Sequence, residues 1–289
     1  MPIDNHVMTN TKAERVRRLV EATTRKHREK NGRFLIEGPQ AVREALTWQP
    51  DIVRDLYVTV DGDAPDAAFA NATVGSLAGL AMAEGVYVHK ATRNVIEHVS
   101  RDAQGVLAIA DLERCRERLV VLPETPSPFI AAFWQVRDPG NAGTVIRSAD
   151  AAGCDAVVFV GDCVDVFNPK VIRATTGSLF HLPVAHMDED AFFALCDARE
   201  ASVIAADVYG TEEVPPVSLP DLIRQGDAVD GAKAVLFGNE ARGLDDALLA
   251  RADVICSIPI YGKAESLNLG TSAAVMLMTL AMSSRIERM

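Results

Sequence analysis

In the second half of the chain, short apolar runs alternate with glycine-containing turns and helical patterns, and this alternation restricts the possible folds more than any other feature. Phe129 to Val136, Ala156 to Val160, Ser202 to Ala206, Val235 to Phe237 and Val254 to Ile258 read as strands. Ala142 to Ala152, Asp190 to Arg199, Asp245 to Arg251 and a last stretch from about Ser272 to Glu287 read as helices. The first strand is broken only by Gln135, as a strand buried on both faces would be. Repeated βα units call for a parallel sheet covered by helices on both sides. Asn141 is placed to cap the helix that follows the first strand, and Gly153 to end it in a left-handed conformation.

The first half is a smaller α/β pattern. Residues 12–31 suggest one basic helix with Val16, Leu19 and Val20 on its apolar face, stopped by Gly32. Strands are expected near Phe34, Leu56 and Val106, with short helices at Gln40 to Thr47, Leu77 to Glu84 and Val95 to Val99. Pro123, Pro126 and Pro128 are closely spaced, and proline cannot donate to a β-ladder, so a connector is expected there. The reading is a domain over residues 1–115, a linker over 116–128 and a second domain over 129–289.

Totals exclude several classes. No apolar run approaches the ~20 residues that span a bilayer, and the first residues lack the pattern of a secretory signal. No membrane role and a cytoplasmic location are therefore expected. The five cysteines are scattered without a Cys-x-x-Cys pair, and no histidine stands beside another ligand at metal spacing, so buried thiols and no metal are expected. A net charge of −11 argues against a general polyanion binder, because phosphate neutralisation supplies most non-specific nucleic-acid affinity. The charge is uneven, however: residues 11–33 carry nine Lys and Arg against three Glu, leaving the remainder near −17. A basic segment on an acidic chain suggests a local nucleic-acid contact as readily as a solvated helix face.

Ligands of open α/β sheets sit outside the carboxyl ends of the strands. Three loops there carry polar residues: Asp138-Pro139-Gly140-Asn141 with Arg147 further along its helix, Gly238-Asn239-Glu240-Ala241-Arg242-Gly243, and Ser257 to Gly270 with Glu265-Ser266-Leu267-Asn268. None fits the Gly-x-Gly-x-x-Gly dinucleotide fingerprint or a Gly-Lys-Ser/Thr phosphate loop.

Taken together in this order, the three loops resemble the three motifs of the SpoU (TrmH-like) branch of the SPOUT RNA methyltransferases. Asn168-Pro169-Lys170, Arg173 and Gly177-Ser178-Leu179-Phe180 look like the segment between the first two motifs, and Phe34-Leu35-Ile36-Glu37-Gly38 is similar to part of the family's small substrate-binding domain. The resemblance implies a C-terminal parallel-sheet α/β fold whose end threads a deep trefoil knot, preceded by a smaller α/β domain that binds substrate. It implies S-adenosylmethionine as cofactor, held by Phe237, Gly238, Asn239, Gly243, Ile258, Ile260, Leu267 and Asn268. It implies 2′-O-methylation of RNA by a homodimer whose RNA site is shared between subunits, with Arg147, Asn141, Glu240, Ser266 and Asn268 as the catalytic set. Ribosomal RNA is the expected substrate, since a separate N-terminal domain resembles that of ribosomal-RNA members. Transfer RNA is the first alternative, and an RNA-binding protein of this fold without transferase activity is the second. The chain departs from the motif at Leu269-Gly270, where the family usually has valine and alanine.

Overall fold

The computed structural model of the chain describes residues 2–226 and 230–285. It falls into two compact units, one made of Met1–Arg118 with Asp165–His181, the other of Leu119–Val164 with Leu182–Met289.

The first unit is a mixed five-stranded sheet. Its strands are β1 (Ile3–Met8), β2 (Arg33–Glu37), β3 (Val53–Thr59), β4 (Tyr87–Ala91) and β5 (Val106–Asp111), in the order β1-β4-β3-β5-β2. β5 runs antiparallel to both β2 and β3, while β4 is parallel to β1 and β3. β1 has no counterpart in the sequence reading, because Ile3-Asp4-Asn5-His6-Val7-Met8 neither alternates polar and apolar residues nor forms an apolar run. Helices α3 (Pro39–Trp48), α4 (Ala72–Ala83), α5 (Arg93–Val99) and α6 (Leu112–Leu119) follow their strands.

The expected basic helix over residues 12–31 is two helices, α1 (Glu14–Glu21) and α2 (Arg25–Asn31). The break has a local cause. The Thr23 and Thr24 hydroxyls donate to the carbonyls of Val20 and Glu21, and Thr24 adopts an extended backbone that starts α2 anew. Threonines that bond back to the preceding turn compete with helix propagation. Val16 and Leu19 of α1 pack with Leu35, Tyr57, Ile96 and Leu107. Restarting the helix also turns Arg28 inward, where only 3% of it is exposed. Its guanidinium meets Asp165 at 2.6 Å and the Thr23 carbonyl at 2.7 Å. Gly32 closes α2 at φ +61°, as expected.

Asp165–His181 belongs to this unit although β7 (Ala156–Val160) and β8 (Val184–Met187), between which it lies in sequence, are strands of the other. Its helix α8 (Pro169–Ala174) is capped by Asn168 and buries Val171 and Ile172. Arg173 pairs with the buried carboxylate of Glu37 and with Asp102. Gln49 donates to the Phe180 carbonyl at 3.0 Å.

The second unit is built on seven parallel strands. They are β6 (Phe129–Trp134), β7 (Ala156–Val160), β8 (Val184–Met187), β9 (Ser202–Ala206), β10 (Val217–Ser218), β11 (Lys233–Phe237) and β12 (Val254–Ser257), in the order β10-β12-β9-β11-β6-β7-β8. The chain lays down β6, β7 and β8 on one side, then crosses to β9, and later inserts β11 between β9 and β6. The direction of winding therefore reverses beside β6 and β11, where open sheets make a crevice. Phe133, Phe159 and Phe237 are wholly or almost wholly buried, and Phe133 stacks on Phe237 at 5.1 Å. Helices α7 (Pro139–Ala151), α9 (Glu189–Ala198), α10 (Leu219–Gln225), α11 (Asp246–Leu249) and α12 (Leu269–Arg285) complete the unit. The expected end of the last helix near Glu287 lies outside the described residues.

Two local expectations change. Asn141 does not cap α7: Asp138 does, its Oδ1 accepting from the Asn141 N–H at 2.8 Å with Pro139 in the first turn. A carboxylate three residues ahead of that amide, followed by a proline, starts the helix earlier than the apolar pattern suggests. The strand expected to reach Val136 stops at Trp134, since Gln135 turns to φ +49°. Gly153 does take a left-handed conformation just past the helix, at φ +66°. No helix among the described residues is long and apolar enough to cross a membrane.

Candidate functional site

The loops after β9, β11 and β12, three neighbouring parallel strands, leave a cavity of about 500 Å³ at their carboxyl ends. Each loop is shaped by its own sequence. After β11, Asn239 and Gly243 exchange backbone hydrogen bonds at 2.9 and 3.1 Å, closing a tight turn that needs Gly243 at φ +69°. A Cβ at Gly238 would stand 2.3 Å from the Gly243 carbonyl carbon, so only glycine allows the turn to fold back on its own strand. Asn239 is buried; it donates to the Gln135 carbonyl at 2.7 Å and accepts from the Ala241 N–H at 2.9 Å. The positive φ of Gln135 thus presents a carbonyl to the second loop, and its side chain accepts from Arg242 at 3.0 Å.

All eight residues expected to hold a cofactor line this cavity: Phe237, Gly238, Asn239, Gly243, Ile258, Ile260, Leu267 and Asn268. Of the expected catalytic set, Glu240, Ser266 and Asn268 line it too. Asn141 joins from α7. Its Nδ2 donates to Glu240 Oε1 at 3.0 Å, and its Oδ1 accepts from Asn268 Nδ2 at 3.1 Å. One amide therefore ties together the first turn of α7 and the loops after β11 and β12. It is available for this because Asp138 does the capping. Asn268 also accepts from the Gly270 N–H at 2.9 Å, which fixes the start of α12.

Arg147 stands apart. It is exposed on α7, does not line the cavity, and its side chain has no hydrogen-bond or ion-pair partner among the described residues. The Leu269-Gly270 departure has a packing reason: a Cβ at Gly270 would meet Thr144 Cγ2 at 2.7 Å, so glycine lets α12 close on α7. Sequence reasoning missed the loop after β9, where Asp207, Val208 and Tyr209 line the cavity, and it missed Gln135. Gln135 did carry a signal, as the one polar residue ending an apolar strand.

The lining pairs an apolar floor of Phe237, Ile258, Ile260 and Met276 with Asp207, Glu240 and Glu265, against the single cation Arg242. Carboxylates facing an apolar hollow suit a ligand with positive charge, such as a sulfonium, and oppose a pyrophosphate. The buried thiols carry no reactivity here: burial pushes Cys115, Cys196 and Cys256 up to about 12 and Cys163 up to about 11. No group of three His, Cys, Asp or Glu among the described residues could hold a metal ion.

Comparison with known proteins agrees with this geometry. Residues 128–278 match the model of the SpoU rRNA Methylase family, and residues 13–108 match an MRM3-like substrate binding domain. The chain is 30% identical over 271 residues to a 23S rRNA (guanosine(2553)-2'-O)-methyltransferase of Bacillus subtilis, covering 93% of this chain and 96% of that protein. It superposes on an AdoMet-bound rRNA methyltransferase from Sinorhizobium meliloti with a TM-score of 0.75, at 28% identity and 100% coverage of both chains. A crystal structure described as an RNA 2'-O ribose methyltransferase gives a TM-score of 0.77 at 29% identity, covering 96% of this chain and 99% of the other.

Proposed function

The chain belongs to the SpoU rRNA methylase family, and from that premise we propose that it transfers a methyl group from S-adenosylmethionine to a ribose 2′-hydroxyl of ribosomal RNA. The observation that carries the reading is the hydrogen-bonded trio Glu240–Asn141–Asn268 at the edge of the cavity. It joins one residue from each of the three family motifs into a single polar group.

When bound, S-adenosylmethionine supplies an electrophilic methyl on a sulfonium centre. Phe237, Gly238, Ile258, Ile260 and Leu267, which line the cavity, would hold it. The rest of the work is positioning. A ribose hydroxyl is a weak nucleophile, so most of the acceleration must come from alignment and from easing the loss of its proton. In this reading Ser266 and Asn268, which line the cavity, hydrogen-bond the hydroxyl, and Glu240, bonded to Asn141, keeps their loop in register. Arg147 clamps an RNA phosphate. A guanidinium stays protonated, so its contribution to deprotonation is a cationic field favouring the oxyanion, and it does not take up the proton.

The active form is a homodimer. α12 leaves Val275 and Met282 exposed, 38% and 54%, on an apolar face that a second copy would cover. Partnerless Arg147 then serves a site completed by the other protomer. The first unit recognises RNA through Lys12 and the exposed cations of α1 and α2, Arg17, Arg25, Lys26 and Lys30. The enzyme acts in the cytoplasm, where ribosomal RNA is modified.

The test is methyl transfer from labelled S-adenosylmethionine to total RNA from a strain lacking the gene, with the product mapped by ribose-methylation sequencing. One labelled 2′-O-methyl site in ribosomal RNA is the expected result. Label in transfer RNA would replace the substrate, and absence of both label and cofactor binding would leave only the RNA-binding reading.

A further inference from the structure

The second unit has two tyrosines, and both stand on loops at the carboxyl edge of its sheet. Tyr209 is 78% exposed and Tyr261 92% exposed. Val208 and Leu267, on the same two loops, are exposed as well. Single apolar side chains on a surface need no explanation, but here four are carried on just two loops, those after β9 and β12, and these strands are hydrogen-bonded neighbours. Tyr209 lines the cavity, and Tyr261 directly follows Ile260, which also lines it.

The backbone under Tyr209 is held firmly. Asp207 Oδ1 accepts from the N–H groups of both Tyr209 and Gly210 at 2.8 Å. Thr211 donates to the Val214 carbonyl at 3.0 Å, and at Gly210, φ +67°, a Cβ would meet that carbonyl oxygen at 2.5 Å. An aromatic ring carried by a fixed turn loses little freedom when it binds a flat partner.

Charge decides what that partner is. The loops over residues 206–216, 237–245 and 257–268 carry six carboxylates and two cations. Such a rim repels phosphate, so its attraction for a nucleic acid cannot be ionic, whereas every base offers a face that an aromatic ring can stack on. We infer that Tyr209 and Tyr261 form a stacking rim that receives an unstacked base of the RNA substrate and so holds the neighbouring ribose at the mouth of the cavity. The inference rests on the methyltransferase reading above and adds residues to it. Stacking is tolerant of base identity, so the rim selects an unpaired nucleotide over a paired one and does not choose the base.

The test uses the full-length protein, with the ribosomal RNA fragment that carries the mapped site as probe. Tyr209→Ala and Tyr261→Ala should each lower kcat/KM for RNA by about 10- to 100-fold, chiefly through KM. Tyr209→Phe and Tyr261→Phe should restore it, since the ring and not the hydroxyl stacks. Tyr261→Ala should leave S-adenosylmethionine affinity by calorimetry unchanged, and neither alanine variant should change the oligomeric state by sedimentation. Undiminished kcat/KM in both alanine variants overturns the inference. So does a loss of cofactor affinity in Tyr261→Ala that matches its loss of kcat/KM, which would make that ring part of the cofactor site, or a changed oligomeric state, which would mean a second protomer covers the rings. Wild-type protein that methylates no RNA overturns the underlying reading instead, a result distinct from an active enzyme indifferent to both substitutions.

Discussion

The Nδ2 of Asn141 lies 3.0 Å from Glu240 Oε1, across 99 residues of sequence. With Asn268 bonded to the other side of the same amide, removing Asn141 disconnects two loops at once. Asn141→Ala should lower kcat by roughly 100-fold, the scale of losing preorganised polar groups at a reacting centre, with little change in melting temperature because the site is largely exposed. Asn141→Asp should be worse at neutral pH, since it sets a second carboxylate against Glu240. Like charges at that distance raise one carboxyl's pKa, so the Asp variant should recover activity as pH falls and the wild type should not. A flat ratio of variant to wild-type rates between pH 8 and pH 5 would refute the pairing.

Gly238 and Gly270 are both crowded but by different neighbours, and their alanine variants should differ. At Gly238 the obstacles are backbone atoms of Gly243 and Leu244, 2.3 and 2.5 Å from a Cβ, which cannot step aside. Gly238→Ala should abolish cofactor binding in calorimetry and cost about 1–3 kcal/mol of stability. At Gly270 the nearest obstacle is a methyl group, Thr144 Cγ2. Gly270→Ala should be rescued, at least in part, by Thr144→Ser, which removes that methyl. Equal damage in the single and double variants would mean the two helices meet otherwise.

Arg28 was grouped with the surface cations of a single basic helix, and its burial against Asp165 gives it a different role. Removing one partner of a buried pair leaves an uncompensated charge, so Arg28→Ala should destabilise the protein by about 3 kcal/mol. Arg17, whose contact with Glu21 is exposed, should cost under about 1 kcal/mol when changed to Ala. RNA affinity should respond in the reverse order, with Arg17→Ala weakening it and reducing its salt dependence. Chemical denaturation and filter binding on the same two variants decide the assignment.

These residues also show what the sequence could and could not tell. The strands of the second unit were legible because buried parallel strands are continuous apolar runs, and the three loops were legible because polar residues end those runs. Arg28 was not, since a helix break made by two threonine hydroxyls leaves a basic stretch looking uninterrupted. The duty of Asn141 was misread for a related reason: Asp138 and Asn141 both suit a cap, and only the packing of Glu240 and Asn268 beside α7 separates them. Tyr209 escaped notice because its loop has no motif. The path of Asp165–His181 into the first unit depends on contacts far apart in sequence, which no local pattern records.

That path sets what truncation should do. A fragment starting near residue 116 keeps Asp165–His181 but loses β2 and α3, the elements on which α8 (with Val171 and Ile172) and the turn at Leu179 and Phe180 pack. Four large apolar side chains brought into water each forfeit about 1.5–3 kcal/mol of burial. Such a fragment should aggregate or melt well below the full-length protein. Replacing residues 165–181 in it by a short Gly-Ser linker should restore solubility and cofactor binding, though not action on RNA. A fragment that is soluble and stable without the replacement would show that the segment packs elsewhere.

Acid stability should depend on a site away from the cavity. Arg15 Nη1 can only donate, so His89 Nδ1, 3.0 Å away, is the acceptor and the His89 Nε2–H donates to Asp55 at 2.8 Å. That hydrogen bond is the largest influence holding the Asp55 carboxyl below its usual 3.8. A carboxylate depressed in the folded state stabilises it above the unfolded pKa, and the contribution disappears as pH falls through the folded value. Asp55→Asn should therefore cost about 2 kcal/mol at pH 7 and progressively less below pH 4, where the wild type loses the same charge-assisted bond. Urea denaturation of both proteins at pH 7 and pH 3 should show the two stability curves converging in acid. Curves that stay parallel would mean that Asp55 does not hold its charge through this bond.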